Sequence, residues 1–251
     1  MISRQPPEPR PIIALRSVTK AFGHVIALRD VDFEVWPNEI VGVIGDNGAG
    51  KSTLVKILAG LIHPDSGEIL CDGEPCVFHD PGEALAHGVA TVFQDLALVE
   101  VLDVARNVFL AHEPTRWGIV AKRRMEAETE QLFRSINVNM PSVKVPVLSL
   151  SGGQRQGVAI ARAVHHGGRV FLLDEPTAAL GVQETARVVS IIRELKEKGS
   201  SVVIVSHNLD LLFDVVDRFH VMRLGRTAGS RVARSTTRAD LVGLIMGAGA
   251  A

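Results

Sequence analysis

The stretch Gly45-Asp46-Asn47-Gly48-Ala49-Gly50-Lys51-Ser52-Thr53 decides the fold of this chain. It matches the pattern G-x-x-x-x-G-K-[ST] and lies between an apolar run, residues 40–44, and a helix-like segment, residues 53–59. Its three glycines let the backbone wrap closely around a polyphosphate, because a Cβ would obstruct a turn with positive φ or the close approach. The stretch therefore predicts a site for a nucleoside triphosphate. A plain glycine-rich turn between a strand and a helix is the alternative.

Two side chains at the end of this stretch are suited to holding a bound triphosphate. Lys51 would reach the β- and γ-phosphates, and the Ser52 hydroxyl would hold Mg²⁺. The N–H groups of the loop and the N-terminus of the helix would face the same anion. The sequence therefore predicts Mg²⁺ as the cofactor.

Composition limits the kinds of protein that this chain can be. Of its 251 residues, 46% are hydrophobic and 22% are charged, which suffices for one domain, or for one domain with a subdomain. The formal net charge of −1 offers no basic excess, so we expect no nucleic acid partner. No apolar run approaches the roughly 18 residues of a membrane span. Residues 1–11 are proline-rich and polar, so they predict a disordered tail without a signal peptide.

The two cysteines, Cys71 and Cys76, stand in a C-x4-C spacing without a second pair or clustered histidines nearby. This spacing favours buried or half-buried thiols in a reducing compartment. A metal site is the less favoured alternative. We expect an intracellular protein whose link to any membrane passes through a partner.

The pattern of apolar residues changes twice along the chain. Strands are predicted at residues 12–15, 25–28, 31–35 and 40–44, and Phe22 is placed in a polar loop between two of them. From about residue 94 to 165 the pattern becomes helical, with helices at 103–110, 122–136 and 152–165. Strands then alternate with helices again, and a short amphipathic helix is predicted at residues 237–246. The sequence therefore predicts an α/β fold with an all-helical lobe inserted in it.

Two adjacent carboxylates, Asp174 and Glu175, end the apolar strand that begins at Val170. Asp174 suits binding of Mg²⁺ beside Ser52, and Glu175 is placed to polarise a water that attacks the γ-phosphate. An acidic pair after a strand is also a common helix-start signal, and Pro176 fits that alternative. Beside a phosphate loop, we favour the catalytic interpretation.

A second glycine-rich stretch, Leu150-Ser151-Gly152-Gly153-Gln154, precedes Asp174 and opens a helix. Ser151 could cap that helix, and the glycines leave bare N–H groups at its positive end. By itself the stretch could be only a glycine-softened helix start. In this order, between a phosphate loop and an acidic strand end, it is specific.

Three single residues are further candidates. Gln94 ends a strand before the helical lobe, and its amide could reach a metal ion or a water. His207 follows the strand at 202–205, where open α/β sheets place ligands; a structural histidine is the alternative. Phe22 could stack on a nucleotide base or fill the core.

Together these residues resemble the ATP-binding cassette (ABC) ATPases over about residues 12–246. The resemblance assigns the Walker A loop to Gly45–Thr53, the Q-loop to Gln94, the signature to Leu150–Gln154, the Walker B strand to Val170–Asp174, the catalytic glutamate to Glu175, the switch histidine to His207 and the A-loop aromatic to Phe22. It implies ATP as the substrate, with Ser52, Gln94 and Asp174 near the metal.

The resemblance also implies an architecture. We expect a P-loop NTPase core with an N-terminal antiparallel β subdomain, together covering residues 12–94 and 166–235, and an inserted α-helical subdomain at residues 95–165. These would form one ABC ATPase domain over residues 12–246, followed by a short tail at 247–251. In this family the signature closes over ATP held by a second cassette, so the resemblance implies a partner subunit and favours a homodimer.

The segment between Gln94 and the signature resembles that of bacterial monosaccharide importers of the ribose, xylose and fructose kind. This implies an energising subunit on the cytoplasmic side of the inner membrane, working with a permease and, indirectly, a periplasmic sugar-binding protein. A cassette for another solute is the first alternative. A soluble cassette acting on DNA or the ribosome is less favoured, because it would predict long coiled-coil or basic insertions.

One position departs from the family. The loop after the Walker B strand usually ends in Asp, whereas residue 181 is Gly. That Asp normally helps two paired sites to communicate, so the resemblance leaves the coupling between sites open.

Overall fold

The computed structural model describes residues 10–248. Within this range the strands are β1 (Ile13–Phe22), β2 (Val25–Val35), β3 (Ile40–Ile44), β4 (Ser66–Cys71), β5 (Glu74–Cys76), β6 (Val89–Val92), β7 (Thr115–Arg116), β8 (Ile119–Val120), β9 (Val170–Asp174), β10 (Ser201–Val205), β11 (Arg218–Arg223) and β12 (Arg226–Val232). The helices are α1 (Lys51–Leu58), α2 (Pro81–Ala86), α3 (Val104–Val108), α4 (Lys122–Ser135), α5 (Gly152–His165), α6 (Val182–Glu197), α7 (Leu209–Val215) and α8 (Arg238–Met246). The predicted tails lie largely outside the described residues.

A six-stranded sheet forms the centre, in the order β12-β11-β3-β10-β9-β6. All neighbouring strands are parallel except β11 and β12, which form an antiparallel hairpin. Every residue of β3 and β10 is buried, as expected of parallel strands covered on both faces. Because these strands run in one direction, their carboxyl ends meet at one edge of the sheet.

A four-stranded antiparallel sheet, in the order β2-β1-β4-β5, lies beside the central one. The sequence predicted separate strands at residues 25–28 and 31–35, which is wrong, because both belong to β2. Asp30 adopts a left-handed conformation (φ 48°), and its N–H donates to Thr19 Oγ1 at 3.1 Å. The irregular backbone at Asp30 lets the polar residues between the two predicted strands belong to one continuous strand. Phe22 is likewise the last residue of β1, opposite Val25, and not part of a loop.

The predicted helices of the middle segment are present as α3, α4 and α5, but the segment is not all-helical. The two-residue strands β7 and β8 pair around Trp117 and Gly118, whose φ angles are 56° and 76°. Two consecutive positive φ values are typical of a tight hairpin turn that matches the twist of its strands. A hairpin with only two paired residues on each side is too short for a period-2 signal in the sequence.

The predicted C-terminal helix is present as α8, but it is not amphipathic. Leu241 and Leu244 are buried, whereas Val242 and Met246 are 43% and 72% exposed. Apolar side chains therefore lie on both faces of α8. Among the described residues, none of the helices has both the length and the apolar character of a membrane span.

Candidate nucleotide site

The phosphate loop connects β3 to α1 and depends on two of its glycines for its shape. Gly45 has a φ of 153°, and a Cβ there would lie 2.2 Å from the carbonyl oxygen of Met222. Gly50 has a φ of 103°, and a Cβ there would lie 2.7 Å from the carbonyl oxygen of Ala27. These positions combine a backbone conformation that L-residues rarely adopt with direct contact to other strands. The loop is thereby fixed against β11 and β2.

The Lys51 side chain folds back over this loop. Its Nζ donates to the carbonyl oxygens of Gly45 at 2.7 Å and Asp46 at 2.9 Å. Partial burial lowers the pKa of Lys51, and the charges of nearby carboxylates, Glu175 foremost, oppose that shift. The loop residues Asp46, Asn47, Gly48 and Ser52 are exposed. A cationic group and the exposed residues of the loop thus meet at one place.

Asp174 and Glu175 lie at the carboxyl end of β9, within electrostatic reach of Lys51. Burial raises the pKa of Asp174, the charge of Glu175 raises it further, and Lys51 and Lys56 act in the opposite direction. A half-buried carboxylate beside a second carboxylate is a costly arrangement unless a cation balances it. The pair therefore has the oxygen ligands and the excess of negative charge that suit a divalent cation.

Glu175 is held in an unusual conformation and contacts His207. Its φ is 49°, which costs on the order of 1–3 kcal/mol for a residue other than glycine, and its N–H donates to Val205 O at 2.8 Å. The Glu175 carboxylate lies 2.9 Å from His207 Nδ1 and 3.4 Å from the hydroxyl of buried Ser206. The His207 side chain is 79% exposed. The strained backbone thus places a carboxylate and an exposed imidazole side by side at the sheet edge.

Gln94 leaves the sheet at the same edge. Strand β6 runs parallel to β9 with Val92 opposite Leu173, so the residues after Val92 lie level with the acidic pair. Gln94 is exposed. The register therefore brings Gln94 toward Asp174 and Glu175.

The signature stretch begins α5 and packs against the start of α6. Ser151 and Gln154 form a reciprocal cap, with the Gln154 N–H donating to Ser151 Oγ at 3.4 Å and the Ser151 N–H donating to Gln154 Oε1 at 3.0 Å. A Cβ at Gly152 would lie 2.6 Å from Leu180 Cδ2, and one at Gly153 would lie 3.0 Å from Glu184 Cβ. The two glycines therefore allow the start of α6 to approach the start of α5 closely, and they also leave N–H groups uncovered.

Glu184 is a residue of this region that was not predicted from the sequence. Hydrogen bonds from Ser151, Gly181 and Gly153, in that order of importance, lower the pKa of its carboxyl group. The Gly181 N–H donates to Glu184 Oε2 at 3.3 Å. A carboxylate of the same chain therefore lies against the signature serine and the start of α5. The one available signal was its place three residues after Gly181, which is the third position of a helix cap.

Phe22 ends β1 with half of its side chain exposed (50%). Lys20 Nζ lies 5.8 Å from the centre of its ring. Asp65, whose role was also not predicted from the sequence, accepts hydrogen bonds from Lys20 Nζ at 2.6 Å and from the Ala21 N–H at 2.7 Å. An aromatic ring this exposed does not fill the core. Asp65 instead fixes the backbone that presents it.

A strand–loop–helix phosphate cradle with a lysine, followed by two carboxylates on a parallel strand of the same sheet, defines a P-loop nucleotide-binding domain. A family model described as ABC transporter matches residues 28–178. The chain belongs to this family, which confirms the predicted resemblance.

The chain is similar over most of its length to curated import proteins. It is 42% identical over 246 residues to the fructose import ATP-binding protein FrcA of Rhizobium meliloti, covering 95% of each chain. It is also 42% identical over 215 residues to the xylose/arabinose import ATP-binding protein XylG of Sulfolobus acidocaldarius, covering 86% of each. The ribose import ATP-binding protein RbsA 1 of Rubrobacter xylanophilus is 41% identical over 238 residues, which span 95% of this chain but 47% of that protein.

Solved structures confirm the fold class. The ATP-binding cassette MJ1267 superposes with a TM-score of 0.82 at 24% identity, covering 94% of this chain and 98% of that one. The dimeric bacterial ABC transporter cassette MJ0796 superposes with a TM-score of 0.75 at 26% identity, covering 89% and 100%. The α/β fold predicted from the sequence is therefore that of an ABC cassette.

Proposed function

We propose that this chain is the ATP-hydrolysing subunit of an importer for a monosaccharide. The observation that carries this proposal is the position of Glu175 between Asp174 and His207, at the sheet edge that also carries the phosphate loop. The likeness to FrcA and XylG over nearly the full length of each chain supports a sugar as cargo. The subunit would lie on the cytoplasmic side of the inner membrane, bound to a permease that a periplasmic binding protein supplies.

In the proposed mechanism the phosphates of ATP take the place of the loop carbonyls as partners of Lys51. Lys51 turns from Gly45 and Asp46 toward the phosphates, while the N–H groups of the loop and of the α1 N-terminus bind their oxygens. The aromatic face of Phe22 stacks on the base. The hydrogen bonds that Lys51 makes to two neutral carbonyls are replaced by hydrogen bonds in which both the donor and the acceptor are charged.

Ser52, Gln94 and Asp174 would hold Mg²⁺, whose charge offsets that of the phosphates. The paired carboxylates at the end of β9 fit this ion, because burial and then the neighbouring charge of Glu175 raise the pKa of Asp174, and a bound cation would offset both effects. Glu175 then accepts the proton of the attacking water. His207, hydrogen-bonded to Glu175 through Nδ1, fixes the orientation of that carboxylate and offers its other ring nitrogen to the γ-phosphate.

The site would be completed by a second subunit. Ser151 and Gly153 would bind the γ-phosphate held by the partner, and the partner's signature would close over the nucleotide of this chain. Dimeric solved cassettes at 26% and 27% identity support a pairing of this kind. ATP would join the two subunits, and hydrolysis would release them.

Replacing Glu175 with Gln tests the catalytic part of the proposal. The variant should bind ATP with unchanged affinity, lose hydrolysis, and accumulate as a dimer on a sizing column in ATP and Mg²⁺. Glu197→Gln, at the exposed end of α6, removes the same charge as a matched control and should behave as the parent protein. Unchanged turnover in Glu175→Gln would remove Glu175 from the role of base.

The cargo requires a separate measurement. The chain should be reconstituted in lipid vesicles with a candidate permease and binding protein, and its ATPase rate measured with a panel of monosaccharides and amino acids. Stimulation by a monosaccharide supports the proposal. Stimulation by a solute of another class favours the alternative importer and leaves the ATPase assignment intact.

A further inference from the structure

Two thiols outside the nucleotide site face each other across the β4–β5 hairpin. The pairing of the strands sets Cys71 opposite Glu74 and Cys76 opposite Ile69. Since side chains alternate along a strand, Cys71, Ile69 and Cys76 point to one face. The two Sγ atoms lie 2.6 Å apart, and both residues are free thiols.

The two thiols differ in accessibility. Cys71 is buried, with 7% of its surface exposed, whereas Cys76 is half-buried and lines a cleft of about 370 Å³. The cleft is formed mainly by apolar side chains such as Ile69, Pro75 and Phe78. Its volume falls in the range of about 300–1,000 Å³ that is typical of small-molecule sites. A small reagent can therefore reach the sulfur of Cys76 before that of Cys71.

The thiols also differ in chemical character. Their mutual hydrogen bond is the main reason why the pKa of Cys76 is lowered and that of Cys71 is raised, and burial raises the latter further. The thiolate is the nucleophile in thiol–disulfide exchange. Cys76 is thus the attacking residue, and Cys71 keeps its proton beside it.

We infer that Cys71 and Cys76 form a redox-active dithiol, which a small disulfide entering the cleft converts to an intrachain disulfide. In the first step the Cys76 thiolate attacks one sulfur of the reagent RSSR, forms a mixed disulfide and expels RS⁻. The Cys71 proton passes to this RS⁻. The Cys71 thiolate then attacks the Cys76 sulfur and expels the second RS⁻, which takes a proton from water. Both cysteines lose one electron each, and one RSSR is reduced to two thiols.

A disulfide between Cys71 and Cys76 would join the edge strand β5 covalently to the end of β4. Strand β5 is an edge strand of three residues that pairs with β4. The intervening turn contacts the residue that precedes β9 through a surface ion pair of 2.9 Å between Asp72 and Arg169. A covalent bond between residues 71 and 76 would tie this edge into the same framework.

Glutathione disulfide is the probe that tests this inference. The full chain should be equilibrated in buffers with an increasing ratio of glutathione disulfide to glutathione. It is then alkylated and digested, and the peptide masses are measured by mass spectrometry. The peptide that holds both cysteines should lose two hydrogens and resist alkylation, and reduction should restore two alkylated thiols. The inference is overturned if both thiols stay alkylatable in the most oxidising buffer, or if the disulfide joins two chains on a non-reducing gel.

Two serine variants separate the attacking from the resolving residue. Cys71→Ser should stop at a glutathione adduct on Cys76, because the second step has lost its nucleophile. Cys76→Ser should form its adduct on buried Cys71 at least tenfold more slowly. Equal rates in the two variants would contradict the assigned order. Thermal unfolding of both variants, compared with the parent protein, verifies that each is folded before its rate is compared.

Discussion

Gly45→Ala should disrupt the phosphate loop far more than Gly48→Ala, although both glycines have positive φ. At Gly48 (φ 79°) an added Cβ would find no heavy atom of the described residues within 4 Å. Its cost is then the conformational term alone, on the order of 1–2 kcal/mol. At Gly45 the added Cβ would lie 2.2 Å from the Met222 carbonyl oxygen, so either the loop or β11 must move.

The expected difference between the two variants follows from adding the terms at each position. A residue other than glycine at the φ of Gly45 costs about 1–3 kcal/mol by itself, and overpacking against fixed backbone adds about 1–3 kcal/mol. Gly45→Ala should therefore lower the free energy of unfolding by about 2–6 kcal/mol in total, against about 1–2 kcal/mol for Gly48→Ala.

Urea unfolding without nucleotide, followed by circular dichroism, measures both values in the same buffer. ATP titration of the folded fraction then shows whether the loop still binds, and we expect Gly45→Ala to lose at least tenfold in affinity. Equal unfolding free energies for the two variants, within about 0.5 kcal/mol, would refute the steric argument. In that case the Gly45 contact with Met222 does not determine the loop.

Three further predictions concern residues around the site. Asp65→Asn should raise the KM for ATP in steady-state ATPase assays with kcat unchanged, because Asp65 fixes the backbone that presents Phe22; an unchanged KM would separate Asp65 from base stacking. Glu184→Gln should lower the ATP concentration that is needed for dimerisation, because Gln keeps the helix cap but removes the charge beside Ser151. Light scattering in the Glu175→Gln background measures this concentration, and a higher ATP requirement would contradict the prediction. Burial, with a smaller contribution from a neighbouring arginine, lowers the pKa of His220 to about 3. As the pH falls, His220 therefore takes up a proton in the unfolded chain before it does so in the folded protein. The free energy of unfolding should then decrease below about pH 6.5, by up to ~1.4 kcal/mol per pH unit. Urea unfolding between neutral and mildly acid pH measures this slope, which His220→Gln should reduce.

Motifs whose spacing is fixed by local chemistry could be predicted from the sequence. The strand before the phosphate loop, the helix after it and the acidic end of β9 each combine a short apolar run with a specific turn. Gly199 follows the end of α6 by two residues, and its φ of 86° is that of a helix-ending glycine. In these cases the physical cause lies within a few residues of the observed feature.

Features that depend on partners distant in sequence could not be predicted. Asp65 fixes Lys20 and Ala21 across 45 and 44 positions, and nothing near residue 65 indicates this contact. The fusion of two predicted strands into β2 depends on a hydrogen bond between Asp30 and Thr19 on another strand. Glycines 152 and 153 suggested exposed N–H groups, but their packing against Leu180 and Glu184 requires knowledge of where α6 lies. The missing information is tertiary in each case.

The surroundings of Gly181 bear on which residue allows two paired sites to communicate. Gly181 immediately precedes α6, and its N–H donates to the Glu184 carboxylate at 3.3 Å. An aspartate side chain at residue 181 could have capped this helix itself, whereas here the carboxylate comes from three residues further along the chain. That carboxylate lies against Ser151 and Gly153, the groups proposed to receive the partner's γ-phosphate. Like charges repel, so the phosphate would have to displace Glu184 to reach them. Communication between paired sites would then depend on residue 184 rather than 181, which is why Glu184→Gln is the more informative variant.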